Sequence, residues 1–310
     1  MIRQSAFTGT GRLLKGNLHC HTTRSDGDGI PAEVIALYEQ NGYDFLSLTD
    51  HRVYNLVNHL PGSRLTIIPG MEMDYNIAPK HPIHCFHTVW IGPEAPQNPY
   101  GQDQRFEGGM VLADQQELQP HLDRAHADRQ LTIYCHPQWS GTFVREFEQL
   151  QGNFALELWN SISAINHGCD TNNGFLWDEL LMQGKRIYGV ASDDGHEMRH
   201  HCHGWVRVNS RNTVADILAA LENGAFYAST GPEIQDFYID DEGVGHLRCS
   251  PCAQIRFICG ARIMHRLYDP AGALTEAKTE FSLPDYFPYL RAEVTDRDGR
   301  VAWTNPIFLK

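Results

Sequence analysis

The amino-acid sequence predicts an α/β protein, with a barrel over residues 1–232 and a small antiparallel β module over residues 233–310. In the first part, short apolar runs alternate with helical patterns. About seven such units in about 230 residues favour a barrel of mostly parallel strands over an open sheet. From about residue 235 onward, apolar and polar residues alternate instead. That pattern indicates antiparallel strands packed on the barrel.

The strands are predicted from short apolar runs that end in polar side chains. In chain order, the barrel segments are RLLKGNLHC, YDFLSLTDH, RLTIIPGMEMD, IHCFHTVWIG, LTIYCHP, FALELWN and RIYGVASDDGH. In the C-terminal module, AQIRFICG and YLRAEVTDRDGRVAWTNPIFL show the alternation of strands. Asp298-Gly299 within the second segment predicts a hairpin turn.

Helices are predicted between these strands, where apolar residues recur on one face. The pattern is present at residues 31–42, 111–129 and 173–183. Pro120 interrupts the second of these stretches. A last helix is predicted to begin at Thr213, which resembles a capping box with Asp216, and to end at Gly224.

Composition and charge narrow the class of protein. A net charge of -13 argues against binding of polymeric nucleic acid, although metal cations in a pocket would still allow a small phosphorylated substrate. The sequence has no apolar run of membrane-helix length and no secretion signal, which predicts a cytoplasmic protein without membrane contact.

The eight cysteines of a cytoplasmic protein are expected to be reduced. The Cys249 and Cys252 pair is interpreted as two small buried residues near a turn.

Polar side chains that bind metals stand at the ends of the predicted strands. They are His19, His21, Asp50, His51, Glu72, His84, His87, His136, Asp193, Asp194 and His196. The carboxyl ends of parallel barrel strands meet at one face, where active sites are built. A single such histidine would be read as a hydrogen-bonded surface group. Six segments that bring such residues to one face predict a metal site.

Side-chain alternation narrows this set. Residues i and i+2 of a strand point the same way, so His19 and His21 can bind one ion together, while the residue between them points to the opposite layer. The same alternation pairs Asp194 with His196 and turns Asp193 away, which favours Asp194 as a ligand. A β-bulge would reverse this choice.

The candidate ligands are imidazoles and carboxylates, which favour zinc, manganese or iron over calcium or magnesium. One ion takes about four protein ligands at most, whereas about nine candidates converge here. We therefore expect two or three divalent transition metal ions that share a carboxylate. Such a cluster activates a bridging water and binds a phosphoryl or acyl oxygen.

Five motifs resemble those of the PHP (polymerase and histidinol phosphatase) superfamily. They are HCHTTRSDG, LTDH, PGMEMD, CHP and SDDGH, and the resemblance covers nearly all of residues 15–232. It implies a distorted seven-stranded barrel that holds a trinuclear metal centre. GWVRV, ENGAFYASTGPEI and the terminal RAEVTDRDGRVAWTNPIFL further resemble the carbaryl-hydrolase-like branch of this superfamily, which consists mostly of metal-dependent phosphoesterases.

The resemblance implies a role for each motif residue. The first ion would be held by His19, His21 and Asp194. Glu72 would bridge it to a second ion, completed by His87 and His136. The third ion would be held by Asp26, His51 and His196.

Two of these assignments have an alternative. His87 is preferred over His84 because, as in the family, it precedes an apolar run that ends in glycine. Asp193 stands where the family usually has a small residue, which leaves the choice between Asp193 and Asp194 open.

Two further residues are candidates for catalysis. Arg24 lies between His21 and Asp26, where a guanidinium could bind a phosphate; its removal should then raise KM for phosphate esters more than for uncharged ones. The alternative is a solvated loop arginine. His200, His201 and His203 follow the last motif, and one of them, with His203 preferred, could donate a proton to the leaving group; the alternative is a mobile polar loop. Asn160 could line the pocket but is interpreted as closing its strand.

Together these features predict a metal-dependent hydrolase that acts on a small phosphomonoester or phosphodiester through a metal-bridging hydroxide. One alternative is a carbamate or carboxylic ester hydrolase with the same centre. Another is a non-catalytic metal-holding scaffold, although such copies tend to lose ligands. The expected partner is a small-molecule ester; the sequence leaves the oligomeric state open.

Overall fold

The structure, a computed structural model, describes residues 4–7, 11–78, 84–93, 110–279 and 287–309. The α-helices in this part of the chain are α1 (Pro31–Gln40), α2 (Gln119–Ala127), α3 (Val144–Phe147), α4 (Gly174–Met182) and α5 (Val214–Glu222). A short π-helical turn covers Ser163–His167.

The strands of the first two-thirds are β1 (Gln4–Ser5), β2 (Arg12–Asn17), β3 (Phe45–Leu46), β4 (Thr66–Ile67), β5 (Gly70–Ile77), β6 (Cys85–Ile91), β7 (Met110–Leu112), β8 (Leu131–Tyr134), β9 (Asn153–Asn160), β10 (Tyr188–Ser192), β11 (Trp205–Ser210) and β12 (Phe226–Ser229). Those that follow are β13 (Ile234–Ile239), β14 (Gly245–Cys252), β15 (Gln254–Cys259), β16 (Arg262–Tyr268), β17 (Leu274–Lys278), β18 (Tyr289–Thr295), β19 (Val301–Thr304) and β20 (Ile307–Phe308).

In the described residues these strands form three sheets, so the fold is mixed α/β. Their orders are β1-β13-β14-β17, β10-β9-β8-β6-β5-β7 and β16-β15-β18-β19-β12-β11-β2-β3-β4, with β20 paired to β18. The strands predicted to form a barrel are therefore divided between the second and third sheets. Two isolated parallel bridges, Cys20 with Gly195 and His51 with Glu72, connect segments of these two sheets.

Strand β6 runs against its neighbours, contrary to the expectation of mostly parallel strands. It pairs antiparallel with β5 and β8, whereas β8, β9 and β10 pair in parallel. Residues 78–84 alone connect β5 to β6, and this is too short for the crossover of about a dozen residues that parallel strands need. As a result, the start of β6 lies beside the end of β8, where Thr88 pairs with Tyr134.

A buried apolar core lies between strands of the second and third sheets and α5. It includes Leu14, Phe45, Val89, Ile133 and Val190, from β2, β3, β6, β8 and β10. Each fully buried side chain of this kind stabilises the fold by about 1.5–3 kcal/mol. These strands therefore surround a common core, and their ends form the rim on which the site is built.

The helices bear out the predicted pattern in part. Residues 110–112 form β7 instead of the start of a helix, and Pro120 lies in the first turn of α2, where its missing N–H costs no hydrogen bond. The predicted cap of α5 is confirmed, because Thr213 Oγ1 accepts a hydrogen bond of 3.2 Å from the Asp216 N–H. Gly224 follows that helix with a φ of 70°.

The C-terminal strands form two packed layers. Side chains of β13 and β14, such as Phe237 and Leu247, share a core with Phe257 and Leu290 from the third sheet. Sheet pairing crosses the predicted domain boundary, because β12 pairs with β19 and β1 with β13. The predicted turn at Asp298-Gly299 joins β18 to β19.

The cysteines and the helices add two further facts. All eight cysteines are free, and Cys249 and Cys252 are buried in the C-terminal core with their Sγ atoms 3.7 Å apart. None of the helices within the described ranges combines the length and apolar character needed to cross a membrane.

Candidate metal centre

The nine side chains predicted as metal ligands lie together at the rim of the strand core. They are His19, His21, Asp26, His51, Glu72, His87, His136, Asp194 and His196. They come from six separate segments of the chain, most of which follow a strand of the second or third sheet. The structure thus brings the whole predicted set into one cluster; which atoms bind which ion stays a prediction.

The innermost four residues are buried and face one another. His19, His21, Glu72 and Asp194 each have a ligand atom within 4.8 Å of the others. Asp194 Oδ1 lies 3.2 Å from His19 Nε2 and 3.0 Å from His21 Nε2. Glu72 Oε2 lies 3.3 Å and 3.2 Å from the same two nitrogens. Two imidazoles and two carboxylates at this spacing could hold one tetrahedral ion.

A second group adjoins the first on the more exposed side. Its members are His21, Asp26, His51 and His196. Asp26 Oδ2 lies 3.5 Å from His51 Nε2 and 3.4 Å from His196 Nε2. The Asp26 side chain is 50% exposed, so an ion held here would be open to solvent.

Glu72 also faces a third group, formed with His51 and His87. Glu72 Oε1 lies 3.0 Å from His87 Nδ1 and 3.3 Å from His136 Nε2, while Glu72 Oε2 lies 3.1 Å from His51 Nδ1. Its two oxygens therefore face different sets of imidazoles. A carboxylate in this position can be shared between neighbouring ions.

The neighbouring residues Asp193 and Asp194 have opposite surroundings. Asp194, with a φ of 50°, turns its carboxylate toward the histidines. The Asp193 carboxylate points away and accepts hydrogen bonds from six donors: Asn17 Nδ2, Tyr38 Oη, Ser161 Oγ and the backbone N–H groups of Cys202, His203 and Gly204. It anchors the segment after His196 and takes no part in the cluster.

His84 and His87 are separated in the same way. His84 Nε2 lies 3.1 Å from Glu146 Oε1, outside the cluster, whereas His87 faces Glu72. Because β6 is antiparallel to its neighbours, His87 lies near its first residue instead of its last. The sequence prediction of a ligand at a strand end therefore applies here to the amino end.

Glu157 is a buried carboxylate that sequence reasoning missed. Glu157 Oε1 lies 2.7 Å from His19 Nδ1, and Oε2 accepts hydrogen bonds from the backbone N–H of His136 and from Asn160 Nδ2. Asn160 Nδ2 also donates to Asp194 Oδ2 at 3.1 Å, so Asn160 does more than close its strand. A lone acid within FALELWN gives no sequence signal beyond its apolar surroundings.

The carboxylates and imidazoles of the cluster shift one another's pKa. Burial raises a carboxyl pKa, but the charges of the surrounding imidazoles, His19 first, hold the pKa of Glu72 and Asp194 well below its usual range. Burial lowers the pKa of His21, yet its contacts with the Asp194 and Glu72 carboxylates outweigh burial and raise that pKa to about 10. For His51, burial prevails and lowers the pKa to about 3. The two carboxylates thus attract positive charge into a buried site.

The hydrogen bonds around the cluster fit bound metals. Because His19 Nδ1 faces Glu157, a neutral His19 ring carries its proton there and turns the Nε2 lone pair toward the inner carboxylates. Among the described residues, the buried atoms Asp194 Oδ1 and His51 Nδ1 have no hydrogen-bond partner. Buried lone pairs that face one another are costly unless a cation lies between them. An outer carboxylate such as Glu157 is the usual partner of a metal-binding imidazole.

The structure does not bring the two predicted catalytic residues into the cavity of the cluster. The Arg24 guanidinium hydrogen bonds to Asn55 Oδ1 and lies 3.2 Å from His59 Nε2. His203 is exposed, and its Nε2 lies 2.9 Å from the carbonyl oxygen of Arg199. Sequence position alone could not give these orientations, because both residues lie in loops whose path depends on distant contacts.

The cluster opens into a cavity of about 210 Å³. Seven predicted ligands line it, namely Asp26, His51, Glu72, His87, His136, Asp194 and His196. The remaining lining residues are Trp139, Ile162, Ser163 and His167, which we call the lip. Trp139 packs edge-on against His87 and His136, with ring centroids 5.7 Å and 5.0 Å apart. The lip was not predicted, since these residues form no spacing motif.

Comparison with known proteins gives structural similarity only. No protein-family model and no curated protein match the chain. A two-domain protein from Bacteroides vulgatus that contains a predicted PHP-like metal-dependent phosphoesterase is 14% identical, over 99% of this chain and 100% of that one, with a TM-score of 0.49.

Two other solved structures cover less of the chain. An amidohydrolase from Chromobacterium violaceum, with bound sulfate and no metal, is 13% identical over 59% of this chain and 88% of that one, with a TM-score of 0.44. A candidate metal-dependent phosphoesterase from Bifidobacterium adolescentis is 11% identical over 58% and 87%, with a TM-score of 0.40. At these identities and TM-scores, none of the three similarities supports an activity for this chain.

Proposed function

We propose that this protein is a metal-dependent hydrolase of the PHP type that cleaves a small phosphate ester. The observation that carries the proposal is the inner group of His19, His21, Glu72 and Asp194, whose buried imidazole nitrogens and carboxylate oxygens face one another at 3.0–3.3 Å. The motif resemblance and the cavity beside this group support the same function. The complete set of candidate ligands argues against a scaffold that has lost its metals.

The proposed ligand sets follow the contacts of the cluster. His19, His21 and Asp194 would hold one ion, and His87 with His136 a second, with Glu72 shared between them. Asp26, His51 and His196 would hold a third, solvent-exposed ion. Bound divalent transition metals supply an activated water at neutral pH and neutralise charge on the oxygens of the ester.

The chain's own residues would orient this chemistry. Glu157 and Asn160 fix the His19 ring and the Asp194 carboxylate through direct hydrogen bonds. Trp139 covers His87 and His136 from the side of solvent. The cavity volume of about 210 Å³ suits a small substrate group near the cluster.

One observation favours the second candidate, hydrolysis of a carbamate or carboxylic ester. None of the described residues that line the cavity is a lysine or an arginine. Neutralisation of a phosphoryl dianion would thus fall entirely on the metals, whereas an uncharged carbamate requires no such cation. The same observation favours a phosphodiester over a phosphomonoester, and the resemblance to the carbaryl-hydrolase-like branch also allows the carbamate.

The test combines metal analysis with a substrate panel. We expect two or three equivalents of zinc, manganese or iron per chain, and turnover of bis-p-nitrophenyl phosphate or p-nitrophenyl phosphate that a chelator abolishes and the metal restores. Turnover of an aryl carbamate alone would reject the phosphoesterase in favour of the second candidate. Absence of metal after reconstitution would reject both.

Three broader predictions belong to this proposal. The ring β2, β3, β5, β6, β8, β9 and β10, joined at the two isolated bridges, would be the distorted seven-stranded barrel. Residues 1–232 would form the metallohydrolase barrel and residues 233–310 a packed β module. The cytoplasmic location likewise stays a prediction.

A further inference from the structure

The lip is supported by hydrogen bonds to two buried residues, Asn160 and Asp170. Asn160 Oδ1 accepts a hydrogen bond from the Ser163 N–H at the start of the π-helical turn, while Asn160 Nδ2 donates to Asp194. Asp170 accepts hydrogen bonds of 3.0 Å and 2.8 Å from the backbone N–H groups of Gln138 and Trp139. Both parts of the lip are therefore tied to the strand ends that carry the candidate ligands.

The turn itself has an unusual backbone. The segment Ser163–His167 is π-helical, a geometry that is rare and frequent at functional sites. Gly168 ends it in the left-handed region, with a φ of 68°. The turn presents His167 to the cavity as an exposed side chain, for which no hydrogen bond is found among the described residues.

Only one lip residue can exchange a proton readily. Seven of the eleven lining residues are candidate metal ligands, and the lip adds Trp139, Ile162, Ser163 and His167. An indole and an alkyl chain cannot serve as acids, and a serine hydroxyl is a poor one near neutral pH. Imidazole is the group that most often transfers protons in enzyme sites.

We propose that His167 donates the proton to the leaving oxygen of the ester, the role that the sequence suggested for His203. This inference rests on the proposed hydrolase function. As the water oxygen bonds to phosphorus, the bond to the leaving oxygen breaks and its electron pair stays on that oxygen, which takes the His167 proton. The proton released by the attacking water restores the imidazolium, so the products are the acid and the alcohol. In a carbamate the same transfer would act on the oxygen of the C–O bond.

The position of the lip fits this assignment. His167 and seven of the candidate ligands line the same small cavity, so an ester bound to the cluster would have its leaving group within the space that the lip borders. His203 does not line this cavity and is tied to the Arg199 carbonyl. Trp139 provides the apolar surface against which the carbon part of the leaving group would pack.

Leaving-group dependence tests the proposal. We would measure kcat/KM for wild type, His167→Ala and His167→Gln on two phosphodiesters, methyl p-nitrophenyl phosphate and methyl phenyl phosphate. If carbamates are the substrates, the matching aryl N-methylcarbamates replace them. Phenoxide is a poorer leaving group than p-nitrophenoxide, so its departure depends more strongly on protonation of the leaving oxygen. We expect both variants to lose about 100-fold or more in kcat/KM on the phenyl ester and less than about 10-fold on the p-nitrophenyl ester.

The control is Asn166→Ala, on the same exposed turn. Asn166 does not line the cavity, and its side chain binds Arg199 instead. Asn166→Ala should keep wild-type rates on both esters, and the bound metal of all variants, measured by elemental analysis, should equal that of wild type.

Three results would overturn the assignment. Equal losses on both esters, or metal loss in His167→Ala, would show that His167 acts on the cluster and not on the leaving group. A wild-type rate on the phenyl ester in His167→Gln would reject proton donation while leaving the hydrolase intact. Absence of turnover by metal-loaded wild type on every ester would reject the hydrolase proposal and this inference together.

Discussion

Two buried clusters of charged side chains lie in different parts of this molecule. In the first, Arg291 binds Asp178 through two contacts of 2.7 Å and 2.6 Å and Glu293 through one of 2.6 Å, linking α4 to β18. In the second, Glu72 and Asp194 together face six imidazoles. The carboxylates of both clusters are buried.

The difference lies in how charge is compensated. Each carboxylate oxygen of Asp178 receives an N–H donor from the Arg291 guanidinium, which carries a permanent positive charge. In the second cluster Asp194 Oδ1 faces the imidazoles of His19 and His21, which carry a positive charge only when they are protonated. A permanent guanidinium holds its carboxylates in place as part of the fold, whereas imidazoles can release their protons and leave the carboxylates to a metal cation.

The largest effect is expected from Asp194→Ala. It removes a carboxylate that faces both His19 and His21, so the inner ion should be lost together with several kcal/mol of transition-state stabilisation. We expect activity to fall at least about 1,000-fold while circular dichroism stays unchanged. Asp298→Ala, at an exposed hairpin position, is the control for metal content and rate. Full metal occupancy with wild-type activity in Asp194→Ala would show that the second cluster does not need this carboxylate to bind metal, and the contrast with the Arg291 cluster would fail.

Arg291→Met should have the opposite effect: it should destabilise the fold and leave the metal content unchanged. It leaves Asp178 buried without its cation, while Glu293 keeps its pair with Arg256, and the loss is expected to destabilise the fold by about 3–5 kcal/mol. Urea unfolding measures this loss, and elemental analysis should show unchanged metal content. Arg300→Met, from a pair in which the arginine is 58% exposed, should cost less than about 1 kcal/mol. Equal costs for the two variants would contradict the assigned role of the Arg291 cluster.

Glu157→Gln tests the outer support of the metal cluster. The amide keeps the size of the side chain but removes the charge that orients His19, so metal affinity should fall about 10- to 100-fold. Competition with a chromophoric chelator measures the affinity. Glu146→Gln, which alters a carboxylate paired with His84 outside the cluster, is the matched control. Unchanged affinity in Glu157→Gln would limit the role of this residue to packing.

The smallest effect is expected from Arg24→Ala. Because the guanidinium binds Asn55 and lies near His59 instead of lining the cavity, its removal should change KM by less than about threefold, and equally for phosphate esters and uncharged esters. Steady-state kinetics on both classes measures this. A selective rise for phosphate esters would restore the original prediction of a phosphate-binding arginine.

The candidate site was largely predictable because most of its residues follow strand ends. Glu72 was expected to end a strand but is the third residue of β5, which continues to Ile77. Strand periodicity groups His19 with His21, and the strand-to-loop change after β10 brings Asp194 and His196 to the same rim. Cys20, between the two histidines, packs in the opposite layer with Val34 of α1, as alternation predicts. These local rules need no knowledge of distant contacts.

Features that depend on long-range pairing were not predictable. The reversal of β6 follows from a short connection whose hairpin character the sequence did not mark. Glu157 is a ligand support only because β9 lies beside β8 and β10. The position of His167, and the continuation of the third sheet from β12 into β19, likewise depend on how separate segments meet.

The two isolated bridges lie at the metal cluster itself. Cys20 stands between His19 and His21, its partner Gly195 stands between Asp194 and His196, and the other bridge joins His51 to Glu72. The bridges mark two seams, at which segments of the second and third sheets meet. Any ion bound by these side chains would link the segments on both sides of the seams. Amide protons along the seams, such as those of His21 and Arg52, should then exchange with solvent more slowly in loaded protein than after chelation. Metal binding would then also stabilise the contacts between the second and third sheets.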